Sequence, residues 1–318
     1  MAMGKMKKVN FNKSSLETYS LILVVVALGL ILSLTTKSFF TQTNLVNVLR
    51  QVSINGILAI GMTFVVLTGG IDLSVGSIVA FSGIVVAGLL RDAGMSVLPV
   101  VLVSILVGTA LGAINGYFVS YWGAAPFVVT LSMMTIARGM TYVYCDGKPI
   151  SPLPVSFLAI GKGDVLGLPI PALILLAVFL IGFVALKYFR IGRYLYAVGG
   201  NENAAMVSGI NVRKVKLISY AISGCLCGVA AIILTARVSA GLPQAGQNYE
   251  LDAIAATVIG GTSLSGGRGR LWGTLLGALL LGIVSNGLDL LNVSSFYQQI
   301  VKGLIILGAI LIDSKRKK

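Results

Sequence analysis

The sequence predicts an all-α fold, a polytopic membrane helical bundle of about ten transmembrane helices with both termini cytoplasmic, and three observations carry that prediction. First, 56% of the 318 residues are hydrophobic and only 11% are charged, with a mean hydropathy of +0.95. Soluble domains run about 45–50% apolar and about 25% charged. A water-soluble chain of this size needs a charged exterior, so the apolar excess must face lipid. Second, apolar runs near the roughly twenty residues that cross a bilayer recur along the whole chain. Third, Lys and Arg are distributed unevenly between the two faces that those runs define.

In chain order the runs occupy residues 19–35, 52–68, 75–90, 97–119, 127–144, 170–186, 217–235, 251–264, 271–291 and 296–312. No small-residue cleavage site follows the first, and Lys37, Phe39 and Phe40 flank its end, so it is expected to be retained. The eighth, 251–264, is the weakest, being short and carrying Gly260 and Gly261 near its end. A broken or partly re-entrant helix is expected there, since non-helical backbone at membrane depth is tolerated when protein buries it. Residues 1–18 then form a cytoplasmic N-terminal segment, 19–313 the transmembrane domain and 314–318 a basic tail.

Sidedness follows from the basic residues. Lys5, Lys7, Lys8 and Lys13 precede the first run, and Lys315, Arg316, Lys317 and Lys318 follow the last. The connection 187–216 adds Lys187, Arg190, Arg193, Arg213, Lys214 and Lys216, and Arg268 and Arg270 fall in the next connection on the same side. The opposite face has only Lys37, Arg50, Arg91, Lys148, Lys162 and Arg237. By the positive-inside rule both termini and 187–216 are cytoplasmic. The net charge of +14 is therefore a topology signal and does not call for nucleic acid.

Two polar connections are long enough to act. The outer one, 145–169, is rich in Pro and Gly and is expected to be irregular and exposed, open to a partner. The inner one, 187–216, has internal order: Asn201 caps a short helix, Glu202 puts negative charge in its first turn, and Gly209 ends it in a left-handed conformation. Such a two-turn helix, tied to a span at each end, transmits a push from a peripheral partner or is an ordinary capped loop helix; composition alone does not decide. Gly108, Gly112 and Gly116 form a row at helical spacing, repeated by Gly224 and Gly228, and read as close packing within the bundle before any subunit interface. The stretch 69–76 also echoes 260–267, as a trace of duplication or as two glycine turns.

The chemistry is narrowed by absences. Without histidine, metal and triad chemistry lose their commonest residue. Cys145, Cys225 and Cys227 form no CxxC pair or zinc spacing and read as small apolar packing residues. No phosphate loop ends in Lys-Ser or Lys-Thr, so the chain is not expected to hydrolyse ATP. Arg138 is the charge in mid-span, at a cost of about 2.5–3.5 kcal/mol. Lys302 lies nearer an edge and is expected to snorkel. Asp72, Asp252 and Asp289 fall close to span ends, which gives a carboxylate ion relay little support. With Arg138, the amides Asn55, Asn115 and Asn286 are candidates for a pathway for a neutral hydroxylated solute, hydrogen bonding between helices being the alternative for each amide.

At the inner connection the sequence becomes recognisable. The run Gly199-Gly200-Asn201-Glu202-Asn203-Ala204-Ala205-Met206-Val207-Ser208-Gly209-Ile210-Asn211-Val212 resembles the coupling-helix segment of the ribose-type permeases of bacterial monosaccharide ABC importers, with Asn203 inserted after the Glu of the broader importer pattern. Leu67-Thr68-Gly69-Gly70-Ile71-Asp72-Leu73-Ser74-Val75-Gly76 and Tyr249-Glu250-Leu251-Asp252-Ala253-Ile254-Ala255-Ala256 are similar to the same family, the former nearer to ribose or allose permeases than to galactose ones. The resemblance runs in order from about residue 40 to 313.

It implies a multi-pass subunit of the bacterial inner membrane, present as a homodimer among lipids and binding no cofactor itself. A cytoplasmic ATPase subunit would use ATP and Mg, and an extracytoplasmic sugar-binding protein would deliver the solute. By the same resemblance Gly199, Gly200, Asn201, Glu202, Ala204, Ala205 and Gly209 form the ATPase-coupling segment. Asp146, Lys148, Lys162 and Asp164 would touch the binding protein. A stand-alone sugar facilitator or secondary transporter is the alternative reading of the polar amides.

Overall fold

Helices follow the apolar runs one for one. The computed structural model describes residues 13–315, with side chains over 20–311. The basic residues Lys5, Lys7, Lys8, Arg316, Lys317 and Lys318, and so most of the expected terminal segments 1–18 and 314–318, lie outside the described residues. In order the elements are α1 (Lys13–Thr35), α2 (Gln42–Leu67), α3 (Val75–Arg91), α4 (Val97–Tyr121), α5 (Pro126–Cys145) and α6 (Val155–Lys162). A two-stranded antiparallel hairpin, β1 (Asp164–Val165) and β2 (Leu168–Pro169), precedes α7 (Ile170–Tyr188). Then come α8 (Arg190–Gly200), α9 (Glu202–Val207), α10 (Val212–Val238), α11 (Tyr249–Ile259), α12 (Leu271–Leu290) and α13 (Ser295–Lys315).

Among the described residues α2, α4, α7, α10 and α12 are long and apolar enough to cross a membrane, and Ser20–Thr35, Val75–Arg91 and Ser295–Leu311 are shorter apolar helices. Leu98, Leu102 and Leu106 of α4 are 70%, 55% and 66% exposed, an apolar stripe at helical spacing that only lipid or another apolar surface can cover. The chain is a multi-pass membrane protein. By contrast α11 has 11 residues. At 1.5 Å per residue it is about 16 Å long, half of a roughly 30 Å hydrocarbon core. The break expected around 251–264 is therefore real, and the irregular segment 239–248 in front of α11 is part of it.

At the centre α10 packs against α4, α2 and α3. Its seam with α4 is built from the two glycine rows. A Cβ on Gly108 would run into the Gly224 carbonyl, one on Gly112 into the Tyr220 carbonyl, and one on Gly228 into the Ser104 carbonyl. The rows thus pack against each other within one chain. Ser104 Oγ donates to the Gly228 carbonyl at 2.9 Å, which this close approach allows.

Two expectations need correction. The outer connection 145–169 is ordered, because its apolar residues find a partner: Ile150, Leu153 and fully buried Phe157 cluster with Ile84, Val100 and Ala236. Ile150 and Gly241 exchange backbone hydrogen bonds of 2.9 and 3.0 Å, which ties this connection to segment 239–248. The inner connection 187–216 holds two helices. Beside the expected α9, the amphipathic α8 turns Gly192, Leu195 and Val198 inward and leaves its basic residues in solvent.

Candidate functional site

Two regions stand out, one on the connection 187–216 and one where the chain breaks among the spans. On the connection, Asn201 adopts extended backbone and its Oδ1 accepts from the Ala204 N–H at 2.9 Å, capping α9. Gly209 follows with φ +81°, and the Ile210 N–H returns to the Ala205 carbonyl at 3.0 Å. Glu202 pairs with Lys216 of α10 at 2.7 Å, which ties the short helix to a span. Asn211 then caps α10 through the Lys214 N–H at 3.0 Å.

Of the residues expected to couple, Glu202, Ala204 and Gly209 are exposed, whereas Ala205 is 4% exposed and faces the bundle. The apolar surface that α9 offers is Met206 and Val207, the latter 91% exposed. Sequence reading missed these two; their signal was two apolar side chains in an otherwise polar turn.

Behind α9, the end of α8 sits on both glycine turns whose sequences echo each other. A Cβ on Gly199 would collide with the Leu67 carbonyl and the Gly267 N–H, and the Gly267 N–H itself donates to the Leu67 carbonyl at 3.0 Å. Gly69, Gly266 and Gly267 all have positive φ. Nearby the Tyr196 hydroxyl donates to the Gly269 carbonyl at 2.9 Å, and burial pushes the phenol pKa up, with Arg270 opposing, so it stays a donor. The connection therefore rests directly on the end of α2 and on the turn between α11 and α12.

The second region lies beside the middle of α10. After α2 ends, residues 68–74 turn back, and Asp72 becomes wholly buried. Asp72 Oδ1 accepts from the Ser74 N–H and hydroxyl at 3.0 and 2.6 Å, and Oδ2 accepts from the Ser223 hydroxyl of α10 at 3.0 Å. Asn115 donates to the Ser74 hydroxyl at 2.8 Å and the Tyr220 hydroxyl to the Ile71 carbonyl at 3.3 Å. Asp72 does lie between the end of α2 and the start of α3, as expected, but packing against α10 buries it there.

From the other side, segment 239–248 leaves α10 through Ser239 (φ +65°) and reaches α11 through Gly246 (φ +69°) and Asn248 (φ +65°). Arg138 Nη1 donates to the carbonyls of Pro243 and Ala245 at 2.7 and 2.9 Å, holding this turn. The starts of α3 and α11 meet here: a Cβ on Gly76 would strike the Gly246 carbonyl and come within 2.6 Å of Glu250 Oε2. On the far side of α11, Lys302 reaches Asp252 at 2.9 Å, with Asp252 almost fully covered. Lys302 therefore does not snorkel; a buried carboxylate one helix away takes its charge.

A cavity of about 560 Å³ opens between α5 and this turn, lined by Ser77, Met134, Thr135, Arg138, Gly139, Tyr142, Gln247, Asn248 and Glu250. Small-molecule sites run roughly 300–1,000 Å³. Of the four expected pathway residues, Arg138 lines it. Asn115 is fully buried in the Asp72 network, and Asn286 exchanges hydrogen bonds of 2.7 and 3.0 Å with Asn44 between α12 and α2, so both act as interhelical partners in this structure. Asn55 is half-buried on α2 and outside the lining. Gln247, Asn248 and Glu250 were not foreseen; their sequence signal was a polar run just before the weakest span. Asp146, Lys148, Lys162 and Asp164 are all exposed around α6 and the hairpin.

The family described as branched-chain amino acid transport system, permease component, matches residues 44–310. The chain is 49% identical over 291 residues to the ribose import permease protein of Bacillus subtilis (strain 168), covering 91% of this chain and 90% of that one. It is 47% identical over 306 residues to the ribose import permease protein of Escherichia coli (strain K12), covering 95% of each. The D-allose transport system permease protein of Escherichia coli (strain K12) is 39% identical over 297 residues, covering 93% and 90%. No solved structure matches.

Proposed function

Because the chain belongs to the permease-component family of the branched-chain amino acid transport systems, we propose that it is the membrane subunit of an ATP-driven importer for a neutral monosaccharide, ribose first. The observation that carries the sugar is the 47–49% identity to two ribose import permeases over at least nine-tenths of both chains. The chain crosses the bacterial inner membrane ten times, with 239–248 and α11 making one crossing together, and both termini and α8–α9 face the cytoplasm. That assignment is supported by the Lys and Arg excess on the α8–α9 side.

Two copies pair in the complex, each presenting α9 to a cytoplasmic ATPase subunit. ATP and Mg act on that partner, and this chain makes or breaks no bond. Closure of the ATPases presses on Met206 and Val207. The Asn201 cap and the Glu202–Lys216 pair keep α9 from yielding alone, so the push passes through α8 to Gly199 and the ends of α2 and of the turn that follows α11. Those ends lead to the meeting point of α3 and α11, where a small tilt opens or closes the path. Outside, the exposed charges Asp146, Lys148, Lys162 and Asp164 receive the loaded binding protein.

The test is uptake of labelled ribose by liposomes holding the chain with its ATPase and binding protein. Wild type is expected to import only with ATP. Gly209→Arg and Val207→Asp are expected to abolish import, and Val207→Asp, whose side chain is in solvent, leaves the permease folded. Uptake by the chain with neither ATP nor partners would overturn the reading in favour of a facilitator.

A further inference from the structure

We propose that the cavity between α5 and residues 247–250 is a monosaccharide station on the import path, in which Arg138, Gln247, Asn248 and Glu250 hydrogen-bond the sugar hydroxyls. This rests on the permease reading above.

The first support is the pattern on α5. Thr135, Arg138, Gly139 and Tyr142 follow one another at steps of three, one and three, so they share one helix face, and all four line the cavity. Arg138 stands about 18 Å along a helix of some 30 Å, counted at 1.5 Å per residue. A guanidinium at such depth does not face lipid; it faces protein or water-filled space. Half of its work is structural, since Nη1 holds the Pro243 and Ala245 carbonyls. An arginine side chain carries five N–H donors, so Nε and Nη2 remain for a ligand.

The second support is the chemical make-up of the lining. One guanidinium, one carboxylate, two carboxamides and the hydroxyls of Ser77, Thr135 and Tyr142 surround the space. Their formal charge sums to zero, and the set holds both donors and acceptors. An anion would meet Glu250 and a cation would meet Arg138, whereas a polyol offers each of its hydroxyls as both donor and acceptor. The Tyr142 ring, partly exposed, adds an apolar face for the C–H side of the sugar ring.

The third support is rigidity. Gln247 and Asn248 sit on a turn with left-handed backbone at Gly246 and Asn248, clamped by Arg138 and backed by Gly76 of α3. The turn moves when the meeting point of α3 and α11 moves, so the push from the ATPase reaches the groups that hold the sugar. Import then alternates between a lining that fits the sugar and one that does not.

The experiment places cysteine in the cavity of the full transporting complex. Thr135→Cys and Gln247→Cys are made in a chain carrying Cys145→Ser, and each is treated in liposomes with a small, charged methanethiosulfonate reagent. Both cysteines are expected to react, and saturating ribose is expected to slow the reaction roughly tenfold, as mass action requires of a filled site. Sucrose at equal osmolarity should leave the rate unchanged. Ribose import by the parent complex together with unreactive cysteines, or with reaction rates indifferent to ribose, would overturn the station and leave the importer reading standing. Absence of ATP-driven import by the parent would overturn the importer reading itself, and the station with it.

Discussion

The seam between α4 and α10 and the meeting point of α3 and α11 belong to the same bundle and use glycine for opposite ends. At the seam Gly108, Gly112, Gly224 and Gly228 let two unbroken helices touch backbone to backbone, with no room for a methyl group. At the meeting point Gly76 and Gly246 let two helices begin against each other, and an open, polar cavity stands beside them. The seam has no degree of freedom short of separation. The meeting point is held by side-chain clamps, Arg138 on one flank and Lys302 on the other. A transporter needs both: a fixed frame and a part that moves against it.

Breaking the frame should have the largest effect. Gly112→Leu puts a side chain where the Tyr220 carbonyl and Gly224 backbone already stand, and backbone cannot swing away, so a loss above about 3 kcal/mol is expected. Thermal unfolding and size-exclusion profiles in detergent measure it; a monodisperse protein of unchanged melting point would refute the close-packed seam.

Next comes the clamp on α13. Lys302→Met leaves Asp252 buried without its cation and is expected to cost about 3 kcal/mol. Adding Asp252→Asn should recover most of that in the same melting assay, since the uncompensated charge is then gone. Equal destabilisation of single and double variants would show that the pair does not matter.

A smaller effect separates two adjacent glycines at the end of α8. Gly199→Ala meets the Leu67 carbonyl, whereas Gly200→Ala meets open space. Gly200→Ala is expected within about 0.5 kcal/mol of wild type. Gly199→Ala is expected to lower ATP-driven ribose import severalfold, as uptake in liposomes would register. Similar import by both would detach α8 from the end of α2 and the turn after α11. Smallest is Asn201→Ala, which removes the α9 cap and is expected to cost about 1 kcal/mol locally. Amide hydrogen exchange over 201–208 would report it, and unchanged protection there would contradict the cap.

Local signals were legible without coordinates. Each apolar run became a helix because burying backbone polar groups in lipid leaves the chain few other choices. The α9 cap was readable because Asn201, Glu202 and Gly209 act within one turn of themselves. Partnerships across the chain were not. The apolar residues of 145–169 looked like loop residues until α3 and α10 supplied the cluster that buries Phe157. α8 was hidden because its buried face is only Gly192, Leu195 and Val198, spaced among basic and aromatic residues.

By itself, then, the sequence determined the membrane as solvent, the order of the helices, the uneven distribution of the basic residues and the short capped helix on the connection 187–216. These depend on composition and on residues within a few positions of each other. Only the tertiary structure decided that Asp72 is buried against Ser223, that Lys302 answers Asp252, that the two echoing glycine turns meet under Gly199, and that Arg138 shares a cavity with Gln247, Asn248 and Glu250. The reason is that charge and polarity inside a membrane protein are settled by whatever group packing brings alongside, and that group can stand more than a hundred residues away.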